Sequence, residues 1–200
     1  MRKKRFIVGI TGASAVLYAI RLLESLKPLE GIETHLVISR AAGITIRLEC
    51  PQWELEAVKA LADVSYKEMD IAATIASGSF PIDAMIVVPC SMKTVAQIAT
   101  GTGETLLHRA ADVTLKERRP LYVVPRETPF HLGHLRNLTT LAELGAVIVP
   151  PMVAFYHQPS SVDDIVNHTV GKLLDLLKVE HQLYKRWEGP NQRSLQEPRR

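Results

Sequence analysis

Short apolar runs, each closed by a small or hydroxyl-bearing turn, alternate along this chain with stretches whose apolar residues recur every three or four positions. Residues 6–10, 84–88, 121–124 and 146–149 are nearly continuous runs rich in β-branched side chains, the pattern of parallel strands buried on both faces. Residues 33–38 alternate into a further strand, closed by Ser39. Between the strands, Leu17, Ile20, Leu23 and Leu26 share one face of a predicted helix that Ala15 begins. Further helices are predicted at 41–48, 53–61, 94–98, from Thr102 or Gly103 to Leu115, at 131–144 with Gly145 as its stop, and at 162–177 with Ser161 as its cap. The stretch 63–80 is poorly patterned and ends in the small polar loop Ala76-Ser-Gly-Ser79. Irregular segments of that length inside a compact domain are commonly functional. Five strands alternating with helices, joined by right-handed crossovers, predict an α/β fold: a doubly wound parallel sheet in three αβα layers, as a single domain.

Composition narrows this picture. The chain is 46% hydrophobic but only 6% aromatic, so its core is built from Leu, Ile, Val and Ala. Its net charge of +3 comes from the ends: Arg2, Lys3, Lys4, Arg5, Arg199 and Arg200 are six positives, and the rest sums to −3. A basic nucleic-acid surface is therefore not indicated. Cys50 and Cys90 form neither a CxxC pair nor a disulfide framework, which suits a reducing, cytoplasmic setting. No apolar run is long enough to span a membrane. Residues 191–200 read as a polar, disordered tail.

The candidate chemistry sits at strand ends. Thr11-Gly12-Ala13-Ser14 carries the first strand into a helix, a turn that leaves backbone N–H groups at the positive end of a helix dipole as an anion site. Thr11 or Ser14 is expected to cap that helix. The G-x-G-x-x-G spacing is absent, so a mononucleotide such as FMN fits better than a dinucleotide. Pro89-Cys-Ser-Met-Lys-Thr94 repeats the same logic. Arg126 and Glu127, held between Pro125 and Pro129, pair a cation with an acid on a stiff turn; this suits phosphate binding with proton delivery, or else a surface ion pair.

Gly9-Ile-Thr-Gly-Ala-Ser14, Pro89-Cys-Ser-Met-Lys-Thr94, Arg109-Ala-Ala-Asp-Val-Thr-Leu-Lys-Glu-Arg-Arg-Pro120, Val124-Pro-Arg-Glu-Thr-Pro129 and Phe155-Tyr156 occur in order. In these motifs the chain resembles the flavin prenyltransferase family (UbiX type) from about residue 5 to 190. Residues 33–37 and 73–79 also look like the family, including the branch accompanying hydroxyaromatic-acid decarboxylases. The resemblance implies a Rossmann- or flavodoxin-like FMN-binding domain over residues 1–190, assembled as a homododecamer. It also implies metal-independent transfer of the dimethylallyl group of dimethylallyl monophosphate to N5 and C6 of reduced FMN. The product would serve a UbiD-type decarboxylase.

Carried over residue by residue, the resemblance puts Gly12, Ala13, Ser14, Ser39, Ser91, Met92, Lys93, Thr94 and Arg126 on FMN. Tyr156 and Lys172, with Lys116 and Arg126, fall on the prenyl phosphate, and Trp187 beside the prenyl chain. Glu127 and Glu49 match acids assigned to proton transfer, and Ser14 and Lys116 stand with them as catalytic candidates. Cleaving a C–O bond to phosphate without a metal calls for cations and donors at the leaving group. An aromatic face stabilises a developing dimethylallyl cation. Three positions depart from the family pattern: Ala15 for a usual Gly, Glu104 for Asp, and Lys172 for Arg, which exchanges a bidentate fork for a point charge. Ala15 is tolerable if its backbone is helical. Two rival readings are a relative of the flavin-containing cysteine decarboxylases, whose Pro-Ala-Ser-Ala-Asn-Thr run is absent, and an accessory FMN-binding subunit without transfer activity.

Overall fold

The structure, a computed structural model, describes residues 2–187 and Gly189; the predicted tail at 191–200 lies outside the described residues. The chain divides into two compact units, Met1–Met152 and Val153–Arg200.

The first unit holds β1 (Lys4–Ile10), α1 (Leu17–Leu26), β2 (Ile32–Ile38), α2 (Arg40–Glu49), α3 (Leu55–Lys59), β3 (Val64–Tyr66) and a 3₁₀ turn (Thr74–Ala76). It continues through β4 (Ala84–Cys90), α4 (Met92–Thr100), α5 (Leu106–Lys116), β5 (Leu121–Pro125), α6 (Leu132–Glu143) and β6 (Val147–Ile148). The six strands form one parallel sheet in the order β3-β2-β1-β4-β5-β6. All seven residues of β4 are buried, as expected of a central strand covered on both faces. Alternation along the strands sends Ile7, Met85, Val87 and Val123 into one cluster with Val95 of α4, Leu107 of α5 and Leu141 of α6. On the opposite face α1 packs over β2 and β4. Each fully buried Val, Leu or Ile of this kind contributes roughly 1.5–3 kcal/mol.

Three local expectations are corrected. The stretch 63–80 contains the edge strand β3, which its three partly exposed residues did not announce. It is held by Asp63, whose carboxylate accepts from Thr34 N and Oγ1 at 2.7 and 2.9 Å, and by the Tyr66 hydroxyl, 2.9 Å from His35 Nδ1. His35 Nε2 meets Glu33 at 2.9 Å, so the family-like stretch 33–37 wires the sheet edge together. Second, α5 starts at Leu106 rather than at 102 or 103. Gly101, at φ +68°, closes α4, and a Cβ on Gly103 would lie only 2.1 Å from the His108 ring. Third, α1 starts at Leu17 with Val16 as its N-cap and no side-chain cap, neither Thr11 nor Ser14 serving.

The second unit is built on α7 (Val162–Leu176). Ser161 caps it as predicted: Ser161 Oγ accepts from Asp164 N at 3.1 Å and the Asp164 carboxylate accepts from Ser161 N at 3.0 Å. Its apolar residues Val166, Val170, Leu173 and Leu174 are buried within the single chain, so this face does not itself require a neighbouring subunit. Among the described residues, no helix is long and apolar enough to cross a membrane.

Candidate functional site

The sheet order reverses between β1 and β4, and open α/β sheets bind ligands outside the carboxyl ends of the strands at such a point. Thr11, leaving β1, ties the two exits together: its hydroxyl donates to Pro89 O at 2.8 Å and accepts from Ser91 N at 2.8 Å. Gly12 follows because the start of α2 presses on it; a Cβ there would meet Ala41 Cβ at 2.4 Å. A cavity of about 550 Å³ opens at this junction, with Gly12, Ser39, Ser91, Lys93 and Thr94 on its wall. The two serines are the N-caps of α2 and α4: Ser39 Oγ accepts from Ala42 N at 3.1 Å, and Ser91 Oγ accepts from Thr94 N at 3.2 Å. Buried Ala13 and Met92 and half-buried Ser14 belong to the same turns but lie off the wall.

The helix starts around this cavity are electrostatically unequal. At α1 the Glu49 carboxylate accepts from Ala15 N at 2.7 Å and from Val16 N at 3.3 Å. At α2 the Glu68 carboxylate accepts from Arg40 N at 2.7 Å. The first turn of α4 carries Lys93 and no acid. Its dipole end, with a lysine beside it, is open to an anion. Beyond the first βα turn, Glu49 thus occupies the donors of Ala15 and Val16. The expectation of a helical Ala15 is corrected: it is left-handed at φ +78°. The remaining wall fits the chemistry of FMN. Ile44, Met69 and Leu107 offer apolar cover for a planar ring, hydroxyls suit a ribityl chain, and Lys93 and Arg40 suit a phosphate. The volume lies within the range of roughly 300–1,000 Å³ usual for such ligands.

Sequence reasoning missed Arg40, Glu68, Gln97 and His108 on this wall. His108 Nδ1 lies 2.8 Å from Thr105 Oγ1, its Nε2 is buried without a partner, and burial lowers its pKa from the ordinary imidazole value. Cys90 is also buried, and burial pushes its thiol up, so it stays protonated and inert. Glu104 is exposed and off the wall.

Arg126 and Glu127 sit apart, on the turn after β5, at a second cavity of about 350 Å³ with Phe130 and Met152. Arg126 N donates to Cys90 O at 3.1 Å, which anchors this turn to the exit of β4. Both side chains are exposed, and among the described residues no ion pair joins them. The Glu127 carboxylate accepts from Thr128 N at 3.0 Å. Lys116 ends α5 at the opposite edge of the sheet, paired with Glu117 beside a cavity of about 790 Å³.

Within the second unit, the Tyr156 hydroxyl lies 2.8 Å from His168 Nε2, and Trp187 meets Tyr156 edge-on at 5.7 Å. Lys172 is exposed one helical turn beyond His168. Asp175 gathers the segment that carries Trp187: it accepts from Tyr184 Oη at 2.6 Å, Arg186 Nη2 at 2.6 Å and His181 Nε2 at 3.1 Å. The Arg186 guanidinium above all holds this carboxyl well below its usual range, and burial with Asp175 pushes the Tyr184 phenol up to about 12.

The Flavoprotein family matches residues 1–174. The flavin prenyltransferase UbiX of Escherichia coli K12 is 53% identical over 188 residues, which cover 93% of this chain and 99% of that protein. The crystal structure of a dodecameric FMN-dependent UbiX-like decarboxylase from Escherichia coli O157:H7 superposes with a TM-score of 0.90 at 50% identity, covering 92% of this chain and all of that one. That of AnUbiX in complex with FMN and dimethylallyl pyrophosphate gives 0.92 at 45% identity, covering 95% of this chain and all of that one. The chain thus belongs to the Flavoprotein family and, within it, to the flavin prenyltransferases of UbiX type.

Proposed function

We propose that this protein is a flavin prenyltransferase. It joins the dimethylallyl group of dimethylallyl monophosphate to N5 and C6 of reduced FMN without a metal, in a cytoplasmic homododecamer, and passes prenylated FMN to a UbiD-type decarboxylase. The observation that carries this reading is the cavity between the ends of β1 and β4, where Ser91, Lys93 and Thr94 surround a helix start that carries a lysine and no acid. Bound reduced FMN supplies the nucleophilic N5. The chain supplies the rest. Ser39, Ser91, Lys93 and Thr94 hold the ribityl phosphate, with Gly12, Ala13, Ser14 and Met92 shaping the turns beneath it. Arg126, Tyr156, Lys172 and a neighbouring chain's Lys116 bind the departing phosphate, since charge developing there needs cations and donors aimed at it. Trp187 covers the prenyl chain beside Tyr156. Glu127, free of any ion pair to Arg126, delivers the proton to the leaving phosphate, and Glu49 serves the flavin side.

The test is anaerobic incubation with reduced FMN and dimethylallyl monophosphate, then a mass spectrum of the flavin, with the diphosphate run in parallel. A mass increase of one dimethylallyl unit with the monophosphate is expected. An unaltered flavin with both donors leaves an FMN-binding accessory subunit. In the same assay Glu127→Gln is expected to retain FMN and slow transfer about 10²–10⁴-fold, the range of general acid catalysis. Turnover within a few-fold of the parent removes Glu127 from the mechanism.

A further inference from the structure

The second unit contains an arrangement that the reading above leaves unused. The Tyr156 hydroxyl is bonded to His168 Nε2 at 2.8 Å. Behind it, His157 stacks on His168 at 4.6 Å and 4°, with neither His157 nitrogen hydrogen-bonded. Tyr184 closes the other side at 4.9 Å, its own hydroxyl already given to Asp175. Lys172 stands four residues along α7, on the same helix face. The groups facing His168 are therefore Tyr156 and His157 from the loop before α7, Lys172 from its own helix and Tyr184 from the C-terminal segment.

We propose that His168 is a positioning residue for the prenyl-donor phosphate, deciding whether the Tyr156 proton is available to that phosphate and adding a second positive charge beside Lys172. This rests on the assignment of Tyr156 and Lys172 to the donor phosphate. The chemistry follows from one shared hydrogen bond. A neutral imidazole with a bare Nε2 accepts the Tyr156 proton, and the phenol then has no donor left for a ligand. A protonated imidazole donates through Nε2 instead, so the phenol oxygen accepts and its O–H turns outward. In the free protein, burial first, then His157 and Lys172, lower the His168 pKa, which favours the neutral form. A bound phosphate opposes those effects, and binding takes up the proton. Donor binding in the parent is thus strengthened towards acid pH.

The experiment is calorimetric titration of dimethylallyl monophosphate into the assembled, FMN-loaded protein with the flavin oxidised, so that no transfer consumes the ligand. Parent and His168→Gln are compared from pH 5.5 to 8. A glutamine amide can donate to Tyr156 at every pH but never carries charge. The ratio of the variant's Kd to the parent's cancels the ligand's own titration near pH 6. It is expected to fall by about tenfold from the acid to the alkaline end, one charge-linked step. A constant ratio overturns the proposal and leaves His168 a packing residue. In the Tyr156→Phe background the pH dependence of the ratio is expected to shrink, because the hydroxyl it steers is gone; an undiminished slope also overturns it. Failure of the parent to bind the donor at any pH overturns both this and the assignment beneath it, whereas a parent that binds with a flat ratio removes His168 alone.

Discussion

Ala15 and Glu49 act as one device. A left-handed alanine costs roughly 1–2 kcal/mol relative to glycine's freedom there, and Ala15 holds φ +78°. That conformation turns the N–H groups of Ala15 and Val16 together towards the Glu49 carboxylate, which accepts from both. A carboxylate at a helix start contributes about 0.3–1 kcal/mol, and more where the geometry is partly buried. The strain and the bond therefore offset one another locally, and α1 is left without an unanswered positive end. Lys93 is in the reverse situation. It sits in the first turn of α4 on the cavity wall, with Ser91 and Thr94 beside it and no acid in that turn. Removing a cation that hydrogen-bonds a phosphate costs about 1.5–3 kcal/mol. Lys93→Ala is accordingly expected to weaken FMN binding about 10–100-fold, measured by fluorescence titration of the flavin. Unchanged affinity would move the phosphate away from α4.

At the scale of elements, the C-terminal segment is held to α7 through one carboxylate. Asp175 bonds Tyr184, Arg186 and His181, and its pKa lies below the ordinary aspartate value chiefly because of Arg186. A lowered folded-state pKa means stability that is present above the unfolded value of about 3.9 and lost as pH falls through the folded one. In a Trp53→Phe background, Trp187 fluorescence is therefore expected to hold through about pH 4 and to change only further down, as the folded carboxyl is itself protonated. Asp175→Asn is expected to give the released signal already at neutral pH. An emission spectrum identical to the parent's would show that other contacts seat the segment. This carboxylate was invisible in the sequence, where it is one acid in an apolar helix, and so was the pairing of Tyr156 with His168. What the sequence did carry were features written in consecutive residues: the buried runs of β1, β4 and β5, the cap Ser161, and the stop at Gly145. Strand β3 escaped because its three residues have no buried face of their own and take their order from β2. Ala15 escaped because the carboxylate its N–H meets, Glu49, lies thirty-four residues away.

At the scale of the whole molecule, Lys116 and Glu127 cannot serve one phosphate from the same chain. Lys116 lies before β5 and Glu127 after it. Five strand residues alone span about 16 Å at 3.3 Å each. A phosphate contacted by both is therefore contacted by two chains. Exposed apolar side chains are available to such an assembly, Leu48 being 77% and Met152 69% exposed. Closed, symmetric oligomers present the same patches on every subunit, so on the proposed assignment each site would borrow an identical lysine. The consequence is complementation. Lys116→Ala and Glu127→Gln assemblies are each expected to be nearly inactive, because every site lacks one partner. Co-expressed and purified as mixed oligomers, they form sites at random, and about a quarter of sites combine an intact Glu127 with a neighbour's intact Lys116. Prenyl transfer by the mixture is expected to recover to about that fraction of the parent, read by mass spectrometry of the flavin, while separately purified and then combined oligomers that do not exchange subunits recover nothing. A mixture no more active than its two components would place Lys116 outside the site of any neighbour, as a charge that merely closes the C-terminal end of α5.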